Sequence, residues 1–246
     1  VTGETDKVSM AYFKRMLLLI KPSFSHLSME VQPLESADYA ELKDYGLDAV
    51  LVYQETYNRS TYAEHHTRGK KADFNYRLDA PDRLGQAQIH KIGLGVLLGL
   101  EDWRTDTLMM ARHLKHLQKR YWRSRFSISF PRIRPCEGGI IPKSVVTDRQ
   151  LVQLVCAWRL FDADLELTLS TRESALFRNY ALSIGFTSMS AESKTQPGGY
   201  DDAAKDALQQ FEISDERGVQ DIAVVIQSQG LEVIWKDWDP ALSMAN

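Results

Sequence analysis

The chain has 246 residues, 43% of them hydrophobic and 26% charged, and carries a formal net charge of −3. That length accommodates one large α/β domain, or one domain with an appendage. The small net charge provides no field to recruit nucleic acid or an anionic membrane. The arginines clustered in residues 120–135 (RYWRSRFSISFPRIRP) therefore read as a solvated patch or as anchors for a small anion.

The longest apolar stretch, residues 92–100, is too short and too rich in glycine to span a bilayer, and no signal-peptide pattern is visible. The opening Val1-Thr2-Gly3-Glu4 reads as the tail of a strand, so the true N-terminus is expected upstream. Two cysteines, Cys136 and Cys156, make neither a disulfide framework nor a metal motif. Cys156, inside the apolar run 151–161, is expected to be a buried small hydrophobe, and a reducing cytoplasm is the expected location.

Taken in chain order, the apolar and β-branched runs predict strands over 27–33, 48–55, 91–97, 125–131, 165–171 and 186–191, with Val1-Thr2 as the end of one more. Amphipathic stretches predict helices over 7–21, 36–46, 104–122, 147–161 and 174–185. Ser36 with Asp38 and Glu41 marks a helix start, Gly46 a stop, and Thr147-Asp148 another start. Strict alternation of strand and helix, with strands too apolar to have a wet face, predicts a parallel sheet covered by helices. An open dinucleotide-binding sheet would alternate too, but its glycine-rich strand, Gly93-Leu94-Gly95, lacks the phosphate-loop spacing.

The fold class expected is α/β: an incomplete TIM-type (βα) barrel lacking its first βα unit, with a small C-terminal α/β extension. Residues 1–195 form the partial barrel; residues 196–246, with a helix over 216–230 and a strand over 231–237, form an extension packed on it. In such barrels reactive groups sit where strands end. Here strand after strand ends in polar residues: Gly3-Glu4, Glu30 and Gln32, Gln54-Glu55-Thr56, Arg132 and Arg134, Ser170 to Glu173, and Ser188 with Ser190.

These groups form no His-His-carboxylate metal set, no Ser-His-Asp arrangement and no activated cysteine, so no catalytic residue and no metal ligand is assigned within the chain. Arginine beside serine suits a carboxylate or phosphate, and a carboxylate suits an ammonium. Together they suit an amino-acid-like ligand, with a cofactor supplying the hard chemical step. His65 and His66, adjacent on a helix, are expected to be solvated.

Six segments carry a resemblance: 52–58 (VYQETYN), 69–104 (GKKADFNYRLDAPDRLGQAQIHKIGLGVLLGLEDWR), 127–139 (SISFPRIRPCEGG), 168–178 (TLSTRESALFR), 190–200 (SAESKTQPGGY) and 235–239 (WKDWD). Their wording and order closely resemble the 2-iminoacetate synthase family, the radical-SAM tyrosine lyases of thiamine biosynthesis, from the first residue to nearly the last. The resemblance implies cleavage of the Cα–Cβ bond of L-tyrosine to 2-iminoacetate (dehydroglycine) and p-cresol for the thiazole ring. It implies S-adenosyl-L-methionine and a [4Fe–4S] cluster as cofactors, thiazole synthase as a partner, and an electron donor such as flavodoxin.

By the same resemblance, Thr2, Gly3 and Glu4 match the motif that holds the methionine amino group of S-adenosylmethionine. Glu30, Gln54 and Glu55 fall where strand ends meet its amino acid or ribose. Arg77 matches the arginine that pairs with its carboxylate, and the strand Gly93, Leu94, Gly95 and Val96 lies against its adenine. Arg134, Ser170, Arg172 and Ser190 are the residues expected to bind tyrosine.

One departure stands out. The family's Cys-x3-Cys-x2-Cys cluster motif does not occur in the sequence, so the chain alone is expected to be inactive. Plainer readings accompany these assignments. Gly93 and Gly95 would permit close packing inside the barrel, and Glu30 and Glu55 would be strand-end carboxylates paired with arginines. Arg132 reads as structural, residues 235–239 as a docking clasp, and Lys194 to Tyr200 as a turn or a lid. Two rival functions remain. One is a non-catalytic docking fragment that associates with thiazole synthase. The other is the related tyrosine lyase of hydrogenase maturation.

Overall fold

The computed structural model describes residues 8–134, 139–195 and 213–235. Six strands alternate with helices: β1 (Ser28–Glu30), β2 (Ala49–Leu51), β3 (Lys91–Gly95), β4 (Arg125–Ser129), β5 (Glu166–Leu169) and β6 (Ser188–Met189). They form one sheet in the order β1-β2-β3-β4-β5-β6, with β1–β2, β2–β3 and β5–β6 paired in parallel. This sequential order, with a helix between successive strands, is that of a (βα) barrel with fewer than eight strands among the described residues. The α/β barrel class expected from the sequence is the class observed.

By Cα proximity the chain resolves into two compact units. Of the described residues, the first contains 8–96, 106–127 and 234–235. It holds α1 (Met10–Ile20), α2 (Ser36–Asp44), β1 to β3 and most of α6 (Trp103–Arg120). It also holds three short helices, α3 (Arg59–His65), α4 (Phe74–Leu78) and α5 (Ala80–Gln86), in the stretch between Thr56 and Ile89, where the sequence pattern predicts no element. Their starts are set by polar side chains satisfying free amides. Asn58 accepts from Ser60 N and Thr61 N at 3.0 and 3.1 Å, and Asp73 accepts from Tyr76 N at 2.9 Å.

The second unit, among the described residues 97–105, 128–134, 139–195 and 213–233, holds α7 (Asp148–Phe161), β5, α8 (Ala175–Ala181), β6 and α9 (Val219–Ser228). Thr147 caps α7 reciprocally with Gln150, and Ser174 caps α8. Leu151, Leu154, Val155 and Trp158 form the buried stripe of α7, at the spacing of an amphipathic helix. Cys156 lies off that stripe and is exposed, contrary to expectation; an apolar run on a half-buried helix still has one face toward water. Residues 231–235 of the expected last strand form no strand, and residues 236 and 237 lie outside the described residues.

Strands β3 and β4 are buried along nearly their whole length, as parallel strands covered on both faces must be. Gly93 shows why one position tolerates no side chain. A Cβ there would stand 2.7 Å from Leu51 Cγ and 3.1 Å from Leu51 Cβ across the β2–β3 pairing. The close-packing reading of Gly93 accounts for this geometry. Gly93→Ala is expected to lower stability by roughly 1–3 kcal/mol, measured by urea unfolding; an unchanged midpoint would show that Leu51 yields freely.

Candidate functional site

In the first unit the chain leaving β2 keeps company with β3: Val52 N donates to Gly93 O and Glu55 N to Gly95 O, both at 3.2 Å. Glu55 then adopts φ +70°, a left-handed conformation costing a non-glycine residue roughly 1–2 kcal/mol. Three cationic or hydrogen-bonding side chains hold it there. Lys71 Nζ lies 2.6 Å from Oε1, His66 Nε2 lies 3.0 Å from Oε2, and an Arg77 terminal nitrogen lies 3.4 Å from Oε1. Burial alone would raise the Glu55 carboxyl, but the His66 contact and the Lys71 and Arg77 charges outweigh it and bring its pKa down to about 2.

The partners are themselves seated. Arg77 Nε donates to Tyr53 O at 2.6 Å, which ties the guanidinium to the strand end. The Tyr62 hydroxyl donates to Lys71 O at 2.6 Å, and its ring meets the His66 imidazole edge-on at 4.3 Å. The His66 side chain is only 8% exposed, so the expectation of a solvated histidine fails: the C-terminal end of α3 turns it inward, onto Glu55.

Gln54 points elsewhere. It is 5% exposed and lines a tight recess with Val52, Tyr57, Arg77, Leu94 and His113. Neither its amide oxygen nor its amide nitrogen has a hydrogen-bond partner among the described residues. Beside it the Tyr57 hydroxyl and His113 Nδ1 are 2.9 Å apart. Burial pushes the Tyr57 phenol up and the His113 imidazole down, so both are neutral at physiological pH. Asp106 of α6 fixes the loop, accepting from Thr56 Oγ1 at 3.0 Å and Tyr57 N at 2.8 Å.

In the second unit Arg132, Arg134 and Glu173 form a second cluster. Glu173, 2% exposed, accepts from Arg132 Nε at 2.9 Å, from an Arg132 terminal nitrogen, and from Arg134 at 2.9 Å. Arg132 also donates to Val146 O at 2.8 Å and meets Asp148 at 2.8 Å, which gives it the structural role anticipated. Arg134 Nε donates to Arg172 O at 2.7 Å. Ser170 Oγ accepts from Arg172 N at 3.2 Å, and Ser170 O accepts from Glu173 N at 3.3 Å.

Several of the expected site residues are thus brought together within each unit. Glu55, Arg77, Gly95 and Val96 meet at the end of β2, where Val96 bridges to Glu55. Arg134, Ser170 and Arg172 meet after β5. Ser190 follows β6, its hydroxyl 3.5 Å from Leu169 O and its carbonyl bound by Arg178. Glu30 ends β1, half-buried opposite Leu51, and Leu94 is buried beside Gln54. Thr2, Gly3 and Glu4 lie outside the described residues. Lys71 and Asp215 are partners that the sequence reading does not name, and for Lys71 the available signal is the GKK string at 69–71.

The residues after β2 suit an amino-acid ligand in kind: a carboxylate, two fixed cations and an unpartnered buried amide. They therefore fit S-adenosylmethionine. An iron–sulfur cluster is different, since it needs at least three thiolates by the motif above and the chain contains two cysteines.

Residues 129–232 match the family model of the Biotin and Thiamin Synthesis associated (BATS) domain. The 2-iminoacetate synthases of Escherichia coli K12 and Salmonella typhimurium LT2 are each 54% identical over 248 aligned residues. Those alignments cover 100% of this chain and 66% of each relative. Among solved structures, HydG, a maturase of the [FeFe]-hydrogenase, superposes with a TM-score of 0.86 at 32% identity, over 93% of this chain and 52% of HydG. Methylornithine synthase (PylB), at 16% identity and a TM-score of 0.69 over 94% of this chain and 66% of that one, shares the fold.

The Glu55 cluster carries a prediction. Because the folded pKa lies below the ordinary 4.5, the cluster stabilises the fold above that pH, and the contribution is lost as pH falls through about 2. Glu55→Gln leaves Lys71 and Arg77 facing each other unpaired, and is expected to cost roughly 1–3 kcal/mol near neutral pH. Unfolding followed from neutral to acid pH should also show a shallower acid loss in the variant. Parallel curves for the two proteins would contradict the assignment.

Proposed function

We propose that this chain belongs to the 2-iminoacetate synthase family and is the cofactor- and substrate-binding portion of a radical-SAM tyrosine lyase. The observation that carries the reading is 54% identity running through the whole chain. The reaction is scission of the L-tyrosine Cα–Cβ bond to 2-iminoacetate and p-cresol, toward the thiazole of thiamine. HydG shares the fold at 32% identity, and the higher identity to 2-iminoacetate synthases favours the thiamine branch.

S-Adenosylmethionine, acting with a reduced [4Fe–4S] cluster, supplies the radical chemistry; this chain's two cysteines do not provide the cluster's ligands. The chain's own residues bind and orient. Arg77 and Glu55 offer opposite charges to an amino-acid end group, and Gly95 and Val96 present backbone beside them. Thr2, Gly3, Glu4, Glu30, Gln54, Gly93 and Leu94 complete the cofactor side in this reading. Arg134 and Arg172 suit the tyrosine carboxylate through charge-assisted hydrogen bonds, with Ser170 and Ser190 as hydroxyl partners. Thiazole synthase as product acceptor, a flavodoxin-type donor and a reducing cytoplasm complete the setting. Among the described residues, no helix is long and apolar enough to cross a membrane.

Anaerobic cluster reconstitution of the full-length protein, followed by assay for p-cresol from tyrosine and S-adenosylmethionine, tests the reading. Arg134→Gln and Arg172→Gln are each expected to raise the tyrosine KM by roughly 10- to 100-fold, since each removes a charge-assisted contact. Cleavage of S-adenosylmethionine without p-cresol would overturn the tyrosine assignment and retain the radical-SAM one.

A further inference from the structure

The segment 213–218, which follows residues outside the described set, is fastened to the ends of both of the last two strands. Ser214 N and Asp215 N donate to Thr171 O at 3.0 and 3.2 Å, beyond β5. Glu192 N, beyond β6, donates to Arg217 O at 3.3 Å. At the centre lies Asp215, 1% exposed, ion-paired to Arg178, which is itself fully buried on α8. The other end of the Arg178 guanidinium donates to Ser190 O. Arg217 grips the same carboxylate with two parallel bonds, Nε to Oδ1 at 2.8 Å and a terminal nitrogen to Oδ2 at 2.7 Å. It also reaches Asn179 Oδ1 at 2.9 Å and Ala175 O at 3.3 Å on α8.

We infer that Asp215 is a positioning residue for the substrate end of the site: its backbone fixes Thr171, its carboxylate fixes Ser190 through Arg178, and together these set the spacing of Ser170, Arg172 and Ser190. The inference rests on the tyrosine-binding reading of those three residues. Its physical basis is the cost of the arrangement. The Asp215 carboxylate and the Arg178 guanidinium are withdrawn from water, and such buried charges are held by their pairing. Burial raises the Asp215 carboxyl, but Arg217 and Arg178 lower it further, so the group is ionised at working pH. A purely apolar clasp would hold α9 to α8 equally well but would not reach a strand-end carbonyl. The bonds to Thr171 O and Ser190 O are what transmit position to the neighbouring serine and arginine side chains.

The test uses Asp215→Asn in the full-length, cluster-reconstituted protein. The tyrosine KM is expected to rise at least about tenfold, as for loss of a buried charge-assisted bond. Cleavage of S-adenosylmethionine in the absence of tyrosine should change less than about twofold, because the residues around Glu55 are untouched. Amide hydrogen exchange should speed up over residues 188–192 and not over 49–55. A merely structural role would depress both activities together, or neither. Should Asp215→Asn fail to fold, Arg217→Lys keeps the charge, loses the paired bonds, and is expected to raise the same KM about three- to tenfold. A folded variant with wild-type tyrosine KM and wild-type exchange at 188–192 overturns the inference. A wild-type protein that cleaves S-adenosylmethionine but consumes no tyrosine sinks the substrate reading instead, and with it the role given to Asp215.

Discussion

A carboxylate removed from water must be paired, and the sites of this chain are organised around that constraint. Glu55, Glu173 and Asp215 each lie where a strand has just ended or where the tail crosses such an end. Each is clasped by two fixed cations: Lys71 with Arg77, Arg132 with Arg134, and Arg178 with Arg217. In every case one of the two cations also binds a main-chain carbonyl: Arg77 on Tyr53 O, Arg134 on Arg172 O and Arg178 on Ser190 O. Charge therefore does two jobs at once. It neutralises the buried acid, and it fixes the backbone from which the site side chains project.

The same arithmetic explains why these clusters suit anionic ligand groups. Two cations against one carboxylate leave a positive excess in the Glu55 and Asp215 pairings, whereas Asp148 balances the Arg132 cluster. A site built from neutral residues would have to create that field when ligand arrived. Here the field is fixed by the fold, which is the condition under which electrostatic recognition loses least to reorganisation. Lys71 is the most exposed of the side chains on Glu55, with 42% of its side chain accessible against 11% for Arg77 and 8% for His66. Arg77 and His66 thus form the rigid part of the clasp.

The barrel class was legible because its determinants are local. Alternating apolar strands and amphipathic helices mark the class, and Thr147 with Gln150 announces α7 in four residues. The three short helices between Thr56 and Ile89 escaped because none is long enough to show a period, and their only signals are the caps Asn58 and Asp73 and the early Pro81 of α5. Polar strand ends marked the site, yet the partners that give it shape come from loops: Lys71 is 16 residues from Glu55, and Asp215 is 37 from Arg178. Pairings across such distances leave no periodic trace. Cys156 was misread for the opposite reason, since an apolar run on a half-buried helix looks more buried in sequence than in space.

Gly93 and Glu55 illustrate how packing and site geometry share one pairing. Gly93 yields its side-chain volume to Leu51, so β2 and β3 run in close contact up to the strand ends. The contact continues through Glu55 N and Gly95 O, and there the backbone breaks into a left-handed turn at a residue that pays for it in strain. A glycine would remove that strain but would also remove the carboxylate on which Lys71, His66 and Arg77 converge. The retained conformational cost, roughly 1–2 kcal/mol, is comparable to the roughly 1–3 kcal/mol set by leaving the cations without their counter-charge, so the carboxylate offsets the strain while it shapes the site.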